Sequence, residues 1–311
     1  PDLFPGRAHE LASALYDSLH EKIMKLPDYC EVYPAHGAGS FCGRSLSAKR
    51  TTTIGYERRF NQILQIHDKE AFINELTKNM PPSPDHFSRC SDENRRGPAL
   101  LSTLPPVRGI SPRAGKDLMT QGACEVLDTR RYDAFGSLHI PKSWNIDGEM
   151  NFSTFTGWVI PPDRDILLAV HRPDEIPKIT LMLHRVGIDR IIGYVEGGVW
   201  GWALAGHELD HVQTISVQEL DALLKADKEL IVLDVRTGAE FAGYHIPGSV
   251  NIHWPDLRTR YSELSREKRI AVLCATGARS SMACSILKRN GFSNILNVAG
   301  GYTGWVAGGF Q

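Results

Sequence analysis

One cysteine followed by a short turn is the strongest chemical feature of the sequence. Cys274 stands directly after the apolar run Ile270–Leu273, and Arg279 follows five residues later. The residues between them are small or hydroxylated: Ala275, Thr276, Gly277 and Ala278. Small side chains let the backbone curl around the sulfur, and successive N–H groups in such a turn can bind an anion. The pattern therefore predicts a thiol whose charged form is favoured.

The elements around this turn determine what the thiol can do. The run before Cys274 is typical of a buried β-strand, and Ser280–Asn290 has the pattern of a helix. The turn therefore lies at a helix N-terminus, where the macrodipole favours an anion. Thr276 adds a hydroxyl donor and Arg279 a fixed positive charge. We expect residues 275–280, hereafter the cradle, to bind an anion at the sulfur of Cys274.

A free thiol is mostly protonated at neutral pH, and only its thiolate is an effective nucleophile. The cradle would favour the thiolate of Cys274 and would also hold a persulfide, Cys–S–S⁻. We expect two-step sulfur transfer, in which Cys274 takes the outer sulfur of thiosulfate or an organic persulfide and passes it to a nucleophilic acceptor. The alternative is an ordinary buried cysteine, since this residue packs well in cores. We interpret Cys284, inside the helix, and Cys124 as ordinary buried cysteines.

Composition argues against several other classes of function. The 311 residues carry a net charge of −1, which gives no electrostatic basis for binding nucleic acid or an anionic membrane. No run of ~18 apolar residues is available to span a bilayer. Six cysteines without a Cys-x-x-Cys pair favour a reduced, cytoplasmic protein over a disulfide scaffold or a structural zinc site. The start, Pro1-Asp2-Leu3, is typical of the interior of a domain, so we expect a longer protein.

The C-terminal two thirds of the sequence repeats itself. Residues 125–146 match residues 231–252, and residues 195–202 match residues 298–305. An aspartate and a histidine recur at the same separation in both repeats: Asp128 with His139, and Asp234 with His245. Because both repeats carry them, we interpret these residues as holding the fold rather than as catalysts.

Each repeat alternates short β-branched runs with helical segments, which predicts an α/β fold with a parallel sheet. Ligands bind such sheets at the carboxyl ends of the strands, where Cys274 stands. We expect a first copy at residues 107–208 and a second copy at residues 209–311. Residues 1–106 form a separate N-terminal segment.

Residues 212–311 resemble a rhodanese domain. The matching motifs cover the whole second copy and are Leu233-Asp234-Val235-Arg236, Glu240 with His245-Ile246-Pro247-Gly248, Asn251, Cys274 with Gly277 and Arg279-Ser280, and Gly300-Gly301 with Gly304-Trp305. The resemblance implies a sulfurtransferase whose Cys274 carries the persulfide, with the backbone of residues 275–280 as its substrate-binding cradle and no cofactor. Its partners would be thiosulfate, persulfides, sulfite and thiols.

Two other functions stay open for this fold. Some phosphatases and arsenate reductases share it but carry a Cys-x5-Arg turn, whereas four residues separate Cys274 from Arg279 here. A phosphoryl group needs a wider ring of donors, so the shorter turn favours sulfur over phosphate. The non-catalytic alternative is a scaffold whose two copies dock sulfur-carrying partners. The sequence also leaves open whether the chain forms a homo-oligomer.

The first copy has no thiol at the corresponding turn. Cys274 precedes Trp305 by 31 residues, and 31 residues before Trp202 stands His171, in the stretch HRPDEI. Pro173 removes a donor N–H from this turn, and two acidic residues follow it. We expect a rhodanese-like domain without sulfurtransferase activity. A binding or acid–base role for His171 is the alternative.

The N-terminal segment resembles the late part of a metallo-β-lactamase-fold (αββα) domain of the persulfide dioxygenase-like branch. The similar stretches are VYPAHGAGSFCG (32–43), GYERRFN (55–61) and NRRGP (94–98). The metal-binding His-x-His-x-Asp-His run of that family is absent. Only His36 matches a metal-site position, as a ligand or as a neighbour of the metal, and one histidine cannot hold a metal tightly.

This second resemblance implies an activity of the intact protein. A complete domain would bind iron or zinc and act as an iron-dependent persulfide dioxygenase or a related metallohydrolase, while the chain alone would bind neither metal. The two activities would then act on one sulfur pool. Cys42 is either a thiol that relays persulfide near that pocket or a buried small residue.

Overall fold

The computed structural model describes residues 6–36, 49–78, 80 and 84–310. The chain divides into two compact units, Pro1–Arg95 and Arg96–Gln311. Each copy contributes one five-stranded parallel sheet to the second unit. Among the described residues, no helix is both long and apolar enough to cross a bilayer.

Helices dominate the first unit. Its elements are α1 Ala8–Glu21, β1 Glu31–Val32, β2 Thr52–Thr53, α2 Ile54–Phe60, α3 Lys69–Thr77 and α4 His86–Arg96, with β1 and β2 antiparallel. Side chains cap two helices as their sequences predict: Thr53 accepts from an N–H of α2, and Asp68 accepts from an N–H of α3. Phe72 of α3 is fully buried and lies edge-on to Tyr16 of α1, with ring centroids 5.3 Å apart.

Two segments of this unit differ from the sequence-based expectation. The sequence predicts one helix from a Thr53 cap through Ile66, but α2 ends at Phe60 and a 3₁₀ turn follows at Gln62–Gln65, because Asn61 is extended and caps that turn instead. The basic and polar stretch before Pro106 predicts a connection between domains, yet it contains α4. This helix is almost entirely polar, so apolar spacing gave no signal for it.

In the second unit, ten elements of the first copy precede ten of the second. The first copy contains β3 Gly109–Ile110, α5 Pro112–Thr120, β4 Cys124–Asp128, α6 Tyr132–Ser137, β5 Trp144–Asn145, α7 Phe152–Val159, β6 Asp165–Ala169, α8 Ile176–His184, β7 Ile191–Val195 and α9 Gly198–Leu204. The second copy contains β8 Gln213–Ile215, α10 Val217–Ala226, β9 Ile231–Asp234, α11 Gly238–Gly243, β10 Val250–Asn251, α12 Leu257–Arg260, β11 Ile270–Leu273, α13 Ala278–Arg289, β12 Ile295–Val298 and α14 Gly301–Ala307.

Both sheets are built on one plan. The strand order is β5-β4-β6-β7-β3 in the first copy and β10-β9-β11-β12-β8 in the second, so every strand and helix of one has a counterpart in the other. Apolar residues fill the centre of each sheet and pack under a buried tryptophan, Trp202 in one copy and Trp305 in the other. All carboxyl ends of the strands in a sheet therefore lie at one edge.

A buried ion pair fixes the second strand-to-helix turn of each copy, which joins β4 to α6 and β9 to α11. In the first copy the carboxylate of Asp128 lies 2.6 Å from Arg130, and Nδ2 of Asn145 donates to the backbone carbonyls of both residues. The second copy repeats each of these contacts with Asp234, Arg236 and Asn251.

The recurring histidines are also part of this framework. Nδ1 of His139 bonds the carbonyl of Phe135 at 2.8 Å, and Nδ1 of His245 bonds the carbonyl of Phe241 at 2.9 Å. Each imidazole also stacks on the ring of the phenylalanine whose carbonyl it bonds. Their contacts agree with a role in holding the fold.

Candidate active site

Cys274 directly follows β11, the central strand of the second sheet. Because β11 pairs with β9 on one side and with β12 on the other, the sulfur lies in the middle of the carboxyl edge. The side chain is only 1% exposed. Gly277 turns the chain into α13 with φ of 115°, in the left-handed region that favours glycine. Strand, turn and helix together place the sulfur at the N-terminus of α13.

Backbone N–H groups line the cradle. The N–H of Gly277 donates to Sγ of Cys274 at 3.1 Å. Within the part of the chain that the structure describes, the N–H groups of Thr276, Ala278 and Arg279 have no acceptor. Free amides at a helix N-terminus are donors for an anion. Thr276 is exposed, so its hydroxyl is open to solvent, and the hydroxyl donor expected there stays a prediction.

The carbonyl groups of the same turn are bonded on its other side, to the start of α14. A Cβ added to Gly301 would lie 2.3 Å from the carbonyl oxygen of Cys274, so only glycine allows this approach. Three bonds result, from the N–H groups of Tyr302, Thr303 and Gly300 to the carbonyls of Cys274, Ala275 and Thr276, at 2.7, 3.0 and 3.2 Å. The turn therefore presents its amides, and not its carbonyls, to an anion.

Ser280 and Asn297 form a buried polar pair beneath the sulfur. The hydroxyl of Ser280 lies 2.6 Å from Oδ1 of Asn297 and 3.5 Å from Sγ of Cys274. Nδ2 of Asn297 donates to the carbonyl of Gly277 at 3.2 Å. Sequence reasoning missed Asn297, which stands in an apolar strand. A polar residue at a fully buried strand position is the signal that could have found it.

Arg279 is paired rather than free. Its guanidinium donates to both carboxylate oxygens of Glu240, each at 2.8 Å, in a bidentate ion pair. The N–H and hydroxyl of Thr237 also bond Glu240. The Arg279 guanidinium, followed by Thr237, holds the pKa of Glu240 at about 2, well below its ordinary value. The fixed positive charge expected of Arg279 is therefore largely neutralised by Glu240, and the arginine ties the cradle to α11.

Comparison with known proteins identifies the fold of this site. The family model described as "Rhodanese-like domain" matches residues 216–308. A sulfurtransferase of Allochromatium vinosum is 31% identical over 98 residues, which make up 32% of this chain and 92% of that protein. The chain belongs to the rhodanese family. The Bacillus subtilis protein YrkF is 34% identical over 94 residues, 30% of this chain and 51% of YrkF.

The N-terminal part of the chain is similar to a different protein. A solved metallo-beta-lactamase of Staphylococcus aureus is 32% identical and superimposes with a TM-score of 0.50, over 59% of this chain and 49% of that chain. The chain thus spans about half the length of YrkF and of the staphylococcal protein. A rhodanese domain at the C-terminus and a metallo-β-lactamase-like N-terminal part agree with the two resemblances of the sequence.

The strand register of the first rhodanese-like copy corrects the alignment of its turn. Ala169, the last residue of β6, pairs with the framework residue Asp128, as the last residue of β11 pairs with its own framework aspartate. The next residue, Val170, is therefore the counterpart of Cys274. His171, which the sequence comparison placed there, lies one position further on.

The alignment by sequence placed His171 opposite Cys274 because it counted back from Trp202 without allowing a gap. A Cβ on Gly198 would approach the carbonyl oxygen of Val170 at 3.0 Å, just as one on Gly301 would approach that of Cys274. Between these matched positions the first copy has one residue more than the second. The prediction that no thiol occupies this position still stands, because the occupant is a buried valine.

Other features of the first copy also differ from a rhodanese cradle. A 3₁₀ turn at Pro173–Glu175 precedes α8, and Tyr194 of β7 stands where the second copy has Asn297. A cavity of about 310 Å³ lies at the same edge of the sheet, and His171 is exposed on its wall. The role of His171 stays open.

The remaining cysteines and the expected metal-site residue lie elsewhere. Cys124 begins β4 and is buried, which raises the pKa of its thiol to about 11. Burial also raises the pKa of Cys284, in the interior of α13. Cys42 lies outside the described residues. His36 is exposed, and the described residues contain no group of three or more metal-ligating side chains.

Proposed function

We propose that the second copy is a sulfurtransferase in which Cys274 carries sulfane sulfur as a persulfide. The observation that carries this proposal is the hydrogen bond from the Gly277 N–H to the sulfur, at 3.1 Å, within a turn whose amides at Thr276, Ala278 and Arg279 have no acceptor among the described residues. Preorganised amides at a helix N-terminus stabilise a negative charge that forms during reaction. The family match and the sulfurtransferase relative support the same chemistry.

In the first step the Cys274 thiolate attacks the outer sulfur of the donor. With thiosulfate, a new S–S bond forms to Sγ, the bond between the sulfane sulfur and the sulfonate group breaks, and sulfite leaves with that electron pair. With an organic persulfide the leaving group is the thiolate. The amides of residues 276–280 would bind the negative charge of the enzyme persulfide.

In the second step a nucleophilic acceptor attacks the outer sulfur of the persulfide. A thiol, sulfite or cyanide supplies the electron pair for the new bond, and the Cys274 thiolate leaves. The two steps balance without an external oxidant or reductant. Arg279 positions the cradle through Glu240, since its guanidinium is committed to that carboxylate.

The longer protein would add an oxidative activity, which we propose from the similarity of the N-terminal part to the staphylococcal metallo-beta-lactamase. A complete domain that held iron would oxidise persulfides from the same sulfur pool, with dioxygen as the oxidant, whereas zinc, which has no redox chemistry, would support only hydrolysis. The residues described here do not fit such a metal: His36 is a single exposed imidazole, and a site needs three or four ligands. No step of the reaction on this chain therefore passes through a metal. Cys42 stays a candidate relay thiol for the intact domain.

The compartment and the partners belong to the same proposal. Among the described residues, Cys30, Cys124, Cys274 and Cys284 are free thiols, which suits a reducing cytoplasm. Small-molecule sulfur donors and acceptors are the expected substrates. YrkF, a relative named as a candidate sulfur carrier protein, supports testing a protein acceptor as well.

The direct test is the intact mass of the chain after incubation with thiosulfate or glutathione persulfide. We expect a gain of one sulfur atom that maps to Cys274 and is removed by cyanide or by a thiol. Cys274→Ser should show no gain, while Cys284→Ser, which changes a second buried cysteine, should keep it.

Three outcomes would contradict the proposal. Equal sulfur release by the parent and Cys274→Ser would exclude Cys274 as the carrier. A Cys274 that gains no sulfur and resists alkylation at neutral pH would favour a docking scaffold, because an activated thiolate reacts readily. Turnover of p-nitrophenyl phosphate would instead favour the phosphatase alternative.

A further inference from the structure

The helix that begins at the cradle is held along its length by the first copy. α13 contacts α6 and β5 of that copy, and its contacting residues lie on one face. At the N-terminal end Gly277 packs on Tyr132, and one turn later Ser281 bonds Asn145. At the C-terminal end Lys288 makes an ion pair with Asp210 of the connection between the copies, with the charged atoms 2.8 Å apart.

The bond between Ser281 and Asn145 is buried and directed. The Ser281 hydroxyl donates to Oδ1 of Asn145 at 2.7 Å, and the two residues are 2% and 1% exposed. Nδ2 of Asn145 is already committed to the backbone carbonyls of Asp128 and Arg130, which fixes the orientation of the amide. A framework residue of the first copy thus presents a fixed acceptor to the helix that carries the cradle.

Tyr132 touches the cradle itself. Its ring lies 3.5 Å from the position that a Cβ on Gly277 would occupy. Gly277 is the residue whose N–H donates to the sulfur of Cys274. Because Tyr132 begins α6 and its ring faces the Cα of this glycine with room for little more than a methyl group, it limits how far the turn can move toward the first copy.

The C-terminal end of α13 is held by the guanidinium of Arg289. The guanidinium of Arg289 lies 4.2 Å from the centre of the Trp144 ring and pairs with Glu125 at 2.5 Å. Both partners belong to the first copy. Contacts at both ends oppose a shift or rotation of the helix, which would otherwise redirect the amides at its N-terminus.

We propose that the first copy is a positioning domain for the cradle, acting through Tyr132 on Gly277 and through Asn145 on Ser281. The domain that lacks the thiol therefore contributes to the reactivity of the thiol in the other. The physical reason is that an amide stabilises a charge only if it is held in place before the charge forms. The consequence for sulfur transfer rests on the function proposed above, whereas the consequence for thiol reactivity does not.

The test compares two buried serines on α13 in the full chain. Ser281→Ala removes the bond to Asn145, whereas Ser285→Ala removes a hydroxyl that donates only to Met282 within the same helix. The readout is the rate of alkylation of Cys274 by iodoacetamide between pH 5 and pH 10, followed by peptide mass spectrometry. We expect the profile of Ser281→Ala to move to higher pH by about half a unit, which is roughly a threefold lower rate at pH 7. Ser285→Ala should keep the parent profile.

A second pair tests the contact at the other end of the cradle. Tyr132→Ala removes the ring that packs on Gly277, and we expect a shift in the same direction, with a sulfur-transfer rate lower by about fivefold to tenfold. Tyr132→Phe keeps the ring and should restore the parent profile and rate. A general loss of stability would not shift the alkylation profile in this selective way. If Ser281→Ala does not fold, the tyrosine pair still decides the question.

Three outcomes separate this inference from the proposed function. Parent-like profiles for both Ser281→Ala and Tyr132→Ala would overturn the positioning role while leaving sulfur transfer intact. An equal shift in Ser285→Ala would also overturn it, because the effect would then not require the first copy. Shifted profiles in a chain that moves no sulfur would support the positioning role and refute the proposed function.

Discussion

The two rhodanese-like copies share a framework and differ in the turn that the framework supports. Each has the same strand order, the same buried aspartate–arginine pair and an asparagine that bonds the same two carbonyls. At the end of the central strand, however, one has Val170 and the other Cys274. Fold and chemistry are therefore separable in this protein, since the framework persists where the thiol is missing.

The comparison also shows that the thiol is only one of several differences. The second copy adds Asn297 beneath the turn, where the first has Tyr194. Its helix begins directly after Gly277, whereas the first copy inserts a 3₁₀ turn containing Pro173. A sulfur-binding turn thus depends on free amides, on a polar anchor below it and on a glycine that tolerates φ of 115°.

The largest effect in this comparison is expected from the polar anchor. Asn297→Leu removes the hydrogen bonds to the Ser280 hydroxyl and to the Gly277 carbonyl, at a cost of about 1–3 kcal/mol, although Ser280 keeps its own bond to that carbonyl. We expect sulfur transfer to fall by about tenfold or more, because the amides lose their support. Steady-state transfer from thiosulfate to cyanide measures it.

The matched control is a packing change on the same strand. Ile295→Val shortens a buried side chain of β12 without touching the cradle and should cost about 0.5–1.5 kcal/mol with little loss of transfer rate. If both variants lose activity in proportion to stability, Asn297 has no special role in the turn.

A smaller, pH-dependent effect is expected from the ion pair between Glu240 and Arg279. The pKa of Glu240 is lowered from 4.5 to about 2 in the folded chain, so its contribution to stability is complete above about pH 4.5 and is lost as the pH falls toward 2. Glu240→Gln should therefore lower the urea midpoint at pH 6 and differ less from the parent at pH 3.

The rate of sulfur transfer should also depend on the ion pair between Glu240 and Arg279. With Glu240 neutral, Arg279 loses its partner and the transfer rate at pH 7 should fall by about twofold to fivefold, which a fixed-pH assay can measure. Glu263→Gln, which breaks an exposed pair with Arg260 away from the cradle, is the control. A stability difference between Glu240→Gln and the parent that does not shrink at low pH would contradict the electrostatic explanation.

The smallest change in activity is expected from placing a thiol in the first copy, which should restore almost no sulfur transfer to a chain that lacks Cys274. Val170→Cys in a Cys274→Ser background should transfer sulfur at less than about one hundredth of the parent rate, because Pro173 has no N–H and a 3₁₀ turn replaces the direct start of the helix there. Mass spectrometry after thiosulfate treatment would detect a persulfide on the new cysteine. Substantial activity would show that the thiol alone distinguishes the copies and would contradict a role for the turn and for Asn297.

Parts of the fold and the position of the thiol could be predicted from the sequence. The repeated motifs and the alternation of strands and helices predicted an α/β fold with parallel sheets, and β11 and β12 have the bounds that their β-branched runs indicated. The position of Cys274 could be read because a glycine-containing turn between strand and helix is a local pattern. The polar helix α4 was missed, since its packing does not follow apolar spacing.

The equivalence of Val170 and Cys274 needed the structure. A count along the chain cannot place a one-residue insertion, whereas strand pairing fixes the register through backbone hydrogen bonds. The ion-pair partner of Arg279 could not be predicted from the sequence either. Glu240 lies 39 residues away in sequence, and only the packing of α11 beside the cradle brings the two charges together.

By itself the sequence determined the fold class, the repeated plan and the residue that can carry sulfur, because periodicity and short motifs are local properties of a chain. Only the tertiary structure decided which amides face that sulfur, what neutralises Arg279 and which surface of the first copy supports α13. Those relations join residues far apart in sequence, such as Ser281 and Asn145, whose contact depends on how whole elements pack.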